Sequence, residues 1–162
     1  MSTIDTPTHQ QILGPNGTKV VEALQIALPT LIDLALNAKQ LHWTLKGSRF
    51  KSVHEQLDEV INDVRLHSDE VAERITTLGE PADGRAQVVS SDTKLSTVSP
   101  GFLGIDDTVR TMCEALLAAV RVTRAGQAAT ADIDPITEDL LIGITASLEK
   151  HHWMFKSQLE EV

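Results

Sequence analysis

KQLHWTLKGSRFKSVHEQLDEVINDVRLHSDEVAER runs from Lys39 to Arg74. Five of its side chains can bind a metal: His42, His54, Asp58, Asp69 and Glu73. The last four fall on one expected helix. At about 100° per residue, Asp58 lies about 40° round from His54, Asp69 about 60° and Glu73 about 100°, so all four share a stripe. Their heights differ. His54 and Asp58 are one turn apart, as are Asp69 and Glu73, but roughly 16 Å of helix separates the two pairs. Metal–ligand bonds are only about 2.0–2.2 Å long, so one straight helix cannot bring both pairs to one site. Either each pair does ordinary work on a solvated face, or two copies of the chain pack antiparallel. In the second case the His54/Asp58 half of one copy meets the Asp69/Glu73 half of the other, and a two-fold axis builds two identical sites.

Apolar spacing on either side of this run gives long helices. Helix A is expected over 17–45, with Thr18 as N-cap. Val20, Ala23, Leu24, Ala27, Leu31, Leu34, Ala38 and Leu41 recur at three- and four-residue steps. Pro29 should bend it. Gly47 closes it, and helix B follows over 50–78, until Gly79 and Pro81. The short link makes A and B an antiparallel hairpin, so His42 can approach His54. Residues 79–104 are rich in Gly, Pro, Ser and Asp. They read as one long crossover, with a short helix over about 85–90 capped by Asp83. Helix C is expected over 105–129, with Asp106 a candidate cap. Helix D is expected over 134–160, with Asp134-Pro135 as its start. The fold class is thus all-α. The domains are an N-terminal arm, 1–16, and a four-helix bundle, 17–162.

Composition narrows the function. The net charge is −9, which repels DNA phosphates and anionic membranes and attracts cations. A single cysteine, Cys113, rules out an intrachain disulfide and suits a reducing cytoplasm. The first fifteen residues form no apolar export signal. The apolar run 20–38 is broken by Glu22, Gln25, Asp33 and Asn37, so no membrane span is expected.

The central run resembles the signature of the Dps family, the mini-ferritins, of form HW…G…F…H…D…D…AER. His42-Trp43, Gly47, Phe50, His54, Asp58, Asp69 and Ala72-Glu73-Arg74 match it in order and spacing. The resemblance implies a ferritin-like four-helix bundle with a long B–C crossover carrying a short helix. It also implies a hollow homo-oligomer, a dodecamer of two-fold dimers, with an intersubunit ferroxidase site. His42, His54 and Asp58 would come from one subunit, Asp69 and Glu73 from its partner. The implied reaction is oxidation of Fe(II), by hydrogen peroxide in preference to oxygen, and storage of ferric mineral as protection against oxidative stress. Trp43 would be a redox-active ring beside the iron, or else an interface or core aromatic. Glu138 and Asp139 would line a pore that admits Fe(II), or else favour the helix N-terminus by charge.

Other residues carry plainer readings. Arg74 and Lys39 are expected to pair with acids near the site, His67 to sit at the surface or an interface, and His9 to be solvated. Glu55, Glu59 and Asp63 face either solvent or a mineral cavity. Glu149-x-x-His152 lacks the second such motif that an intrasubunit di-iron site needs. Two other functions fit parts of the chain. One is nucleoid DNA binding, which the resemblance brings with it. The absence of Lys or Arg before Lys19 and of a basic run before Val162 argues for weak or no DNA affinity. The other is metal-dependent hydrolysis of a small amide or ester at the same metals; nothing marks a substrate pocket for it.

Overall fold

A computed structural model of the chain describes residues 8–159. Two antiparallel helical hairpins pack face to face. The first joins α2 (Gly17–Thr44) to α3 (Phe50–Thr77), and the second joins α5 (Ile105–Thr130) to α6 (Pro135–Lys156). Before them stands α1 (His9–Leu13), and the crossover carries α4 (Ala86–Asp92). Two-residue strands β1 (Leu45–Lys46) and β2 (Leu103–Gly104) pair in parallel. They fix the starts of α3 and α5 at one end of the bundle. α5 therefore runs parallel to α3 and antiparallel to α2, as the long crossover demands.

The expected apolar stripes form the core. Leu24, Leu28, Leu31, Leu34 and Leu41 of α2 are buried, and so are Leu57, Val60, Ile61, Val64, Val71 and Ile75 of α3. Met112, Leu116, Ala119, Leu141, Ile144, Leu148 and Phe155 close the core from the second hairpin. The segment His9–Thr44 is long and apolar enough to cross a membrane by composition, but half of its most apolar window is turned inside the bundle. A core helix meets the same test.

Helix ends deviate from expectation where tertiary contacts decide them. α2 starts at Gly17, not behind a Thr18 cap, because Thr18 Oγ1 is engaged by His9 Nε2 at 3.0 Å. His9, expected in solvent, also bonds Glu80 Oε1 at 2.7 Å through Nδ1 and ties α1 to the end of α3. α5 starts after Gly104, leaving Asp106 within the first turn as the partner of Arg49. Asp83 does not cap α4 but accepts from Arg85. α6 ends at Lys156, short of the expected limit; residue 160 lies outside the described residues. Gly47 has φ +145°, and a Cβ there would stand 2.7 Å from Ile105 Cγ1, so the A–B turn needs glycine for both conformation and space.

The α3–α6 seam is stitched by polar pairs. Gln158 Nε2 donates to Gln56 Oε1 at 2.8 Å, His151 Nε2 bonds Asp63 Oδ2 at 2.8 Å, and Arg74 donates to Asp134 Oδ2 at 2.6 Å. Asp134 also accepts from the Thr137 hydroxyl and from Ile136 N. Burial by itself would raise its carboxyl pKa. The hydrogen bonds from Thr137 and Arg74 outweigh that and hold it below the usual range. Cys113 packs in the core, where burial pushes its thiol up.

Candidate metal centre

The tight A–B turn lays the last turn of α2 against the first turns of α3. His42 thereby meets His54, and the two imidazoles stack with centroids 3.6 Å apart and planes at 21°. Each Nδ1 lies 3.0 Å from the other residue's backbone carbonyl. A carbonyl only accepts, so both Nδ1 atoms carry the proton and both Nε2 atoms keep a lone pair. Metal-binding histidines are commonly held this way, by a carbonyl on the nitrogen away from the metal. Phe50 covers the outer face of His54, with ring centroids 4.9 Å apart. This contact could be read from spacing, since Phe50 precedes His54 by one helical turn.

Asp58 sits one turn beyond His54. One ligand atom from each of His42, His54 and Asp58 can be chosen so that all three lie within 4.8 Å of one another. Among the described residues they are the group of three or more His, Cys, Asp or Glu side chains that converges so closely. Lys39 Nζ donates to Asp58 Oδ1 at 2.8 Å. That bond, aided by the nearby histidines, lowers the Asp58 pKa and keeps it an anion. Lys39 thus pairs with a site acid, as expected.

Asp69 and Glu73 do not join this cluster. Both are exposed, farther along α3 on the same stripe. Trp43 stands beside the centre with 65% of its surface exposed, and Leu36 and Leu66 are likewise exposed on α2 and α3. The cluster therefore sits beside exposed apolar side chains of α2 and α3, and Asp69 and Glu73 lie farther along α3. Large apolar side chains left in water mark a contact surface.

Other expected positions resolve differently. Arg74 pairs with Asp134 and Thr137 across the α3–α6 seam, not with the acids of the centre, because its place on α3 turns it towards α6. Glu138 is half-buried and Asp139 exposed in the opening turns of α6. His67 bonds Glu70 at 3.0 Å and is largely buried. Glu149 of the lone Glu-x-x-His is occupied by Arg124. Asp63 is held by His151 and Glu55 faces Lys51, while Glu59 lines the groove beside Asp63. His151 was not singled out by sequence reasoning as a partner of Asp63; their separation of 88 residues leaves no local signal.

Comparison with known proteins adds to this geometry. A family model for the ferritin-like domain matches residues 21–162. The DNA protection during starvation protein of Agrobacterium fabrum is 34% identical over 143 residues, covering 88% of this chain and 88% of that relative. A solved Dps of Mycobacterium smegmatis, in a tetragonal form, superposes with a TM-score of 0.88 at 30% identity, over 100% of this chain and 95% of that one. Dps from Microbacterium arborescens in a high iron form superposes with a TM-score of 0.85 at 28% identity, over 89% and 94%.

Proposed function

The chain belongs to the ferritin-like family, among its Dps proteins, and from this we propose that it oxidises Fe(II) and stores the ferric product inside a hollow oligomer. The observation that carries the reading is the convergence of His42, His54 and Asp58 beside an exposed apolar face, with Asp69 and Glu73 out of reach on the same helix. A two-fold pairing of α2–α3 hairpins brings the partner's acids to the histidines. Each site then offers two imidazoles and three carboxylates, a donor set suited to iron.

Iron is the substrate here. The carboxylates stabilise Fe(III) more than Fe(II), so binding favours loss of an electron. Hydrogen peroxide, preferred over oxygen, takes one electron from each of two ferrous ions. It accepts two protons and leaves as water, and the ferric ions hydrolyse to mineral in the cavity. Consuming iron and peroxide together prevents hydroxyl radical formation. Trp43, exposed beside the centre, is placed to intercept stray oxidising equivalents. Glu138 and Asp139 line the route by which Fe(II) enters. The oligomer is a dodecamer of two-fold dimers and works in the cytoplasm.

The Agrobacterium relative carries DNA protection in its name. With a net charge of −9, we assign protection in this chain to iron consumption rather than to tight DNA binding. In the expected N-terminal arm, residues 8–16 are fastened to the bundle at His9, and residues 1–7 lie outside the described residues.

Native mass measurement of the particle, before and after Fe(II) and peroxide, tests the proposal. A twelve-subunit mass that rises as iron is loaded is expected. A monomer, or a particle that takes up no iron, would refute it.

A further inference from the structure

A trough of about 910 Å³ runs between the first half of α2 and the second half of α5. That size falls within the roughly 300–1,000 Å³ of small-molecule sites. It lies away from the iron ligands, and nothing in the iron chemistry uses it. Its floor is made of small or apolar side chains, Ala23, Val122, Ala125 and Ala129, with Ile26 half-exposed at the wall. Small residues on facing helices keep the floor open along about 16 Å of α5, from Ala118 to Ala129.

The two ends differ in charge. α2 and α5 are antiparallel, and Gly126 packs at Ala23. Arg121 therefore comes level with the turn of α2 near Ile26 to Thr30. Lys94 reaches the same end, because its backbone N–H donates to Thr30 Oγ1 at 3.4 Å and the neighbouring Thr93 hydroxyl bonds Asp33 at 2.7 Å. Glu22, Lys19 and Asp132 line the rest of the trough, towards the start of α2 and the end of α5. The Lys94–Arg121 end is thus cationic with no acid among the lining residues. Neither side chain makes a hydrogen bond or ion pair among the described residues. Two exposed cations, unmatched among the described residues, on a chain of net charge −9 and at one end of an apolar trough, complement an anion with an apolar tail.

We propose that this trough binds a free medium-chain fatty acid, its carboxylate between Lys94 and Arg121 and its chain along the alanine floor. Arginine meets a carboxylate through two parallel N–H donors, and lysine adds a point charge. The tail removes Ile26 and Val122 from water. A polyanion such as DNA fits poorly, since it lacks the apolar part and meets the protein's overall negative charge.

Calorimetric titration of the assembled full-length protein with dodecanoate, below its micelle concentration, tests this. One molecule per subunit should bind saturably. Arg121→Glu should weaken binding by at least about tenfold, as loss of a charge-assisted pair requires. Dodecanol and acetate, each lacking half of the ligand, should bind no better than that variant. Ala125→Trp, at an exposed position, should block the trough while leaving particle mass unchanged. Absence of saturable binding to the wild type, equal affinity for dodecanol, or undiminished binding by Arg121→Glu would overturn the proposal. So would loss of assembly in Ala125→Trp, which would make the trough a seat for a second copy of the chain.

Discussion

His42 and His54 hold each other in place: the Nδ1–H of each donates to the backbone carbonyl of the other, at 3.0 Å in both directions. The two bonds close the A–B turn and leave both Nε2 lone pairs free to bind a metal. Removing one ring therefore costs a ligand and also releases the other ring. His42→Ala is expected to abolish fast peroxide-driven oxidation of Fe(II), with helix content unchanged. Stopped-flow absorbance of the ferric product reads this, and an unaltered fast phase would refute the assignment.

Trp43 directly follows His42 but remains largely outside the bundle. If its role is to absorb stray oxidising equivalents, Trp43→Phe should leave the rate of iron oxidation near that of the wild type. Protection should fall instead, read as increased nicking of plasmid DNA during turnover with Fe(II) and peroxide. Unchanged protection would return Trp43 to a packing role.

The Arg74–Asp134 pair clips α3 to the start of α6, and only 3% of Asp134 is exposed. Asp134→Ala leaves the Arg74 charge without its partner and removes the cap of α6. Breaking a buried pair on one side costs about 3–5 kcal/mol, which urea denaturation would measure. The pH dependence follows from the direction of the carboxyl shift. Burial opposes the shift, but the hydrogen bonds from Thr137 and Arg74 hold the Asp134 carboxyl below the usual carboxylate range. Its contribution is therefore fully present above the ordinary carboxylate range and is lost as pH falls through the lower, folded-state value. Asp134→Ala should be destabilised at neutral pH and should lose less further stability in that acid range than the wild type.

The long helices were legible because their apolar residues recur at helical spacing and their ends carry Gly or Pro. α2 and α3 end within a residue of the expected limits, and α4 is displaced by one or two residues. Caps were less legible. Thr18 has the right chemistry for an N-cap, but His9 claims its hydroxyl, a contact no local pattern announces. Arg74 shows the same limit. Its place in the central run puts its expected partner among acids near the site, while the helical turn sends it to Asp134, 60 residues away. For the candidate site, the stripe of His54, Asp58, Asp69 and Glu73 was computable from helix geometry alone. The carbonyl bonds that fix both imidazole tautomers depend on how closely the A–B turn folds, and spacing does not specify that.

The shared character of the site is the central claim, and mixing two inactive variants tests it most directly. His42→Ala spoils the histidine half of a site, and Asp69→Ala spoils the carboxylate half. Subunits of the two variants, dissociated and reassembled together in equal amounts, form random two-fold pairs. In each mixed pair, one of the two sites draws His42 from one chain and Asp69 from the other, and is intact. Fast iron oxidation should return to about a quarter of the wild-type amplitude, although neither variant shows it alone. No recovery in reassembled particles of full size would contradict a site shared between subunits.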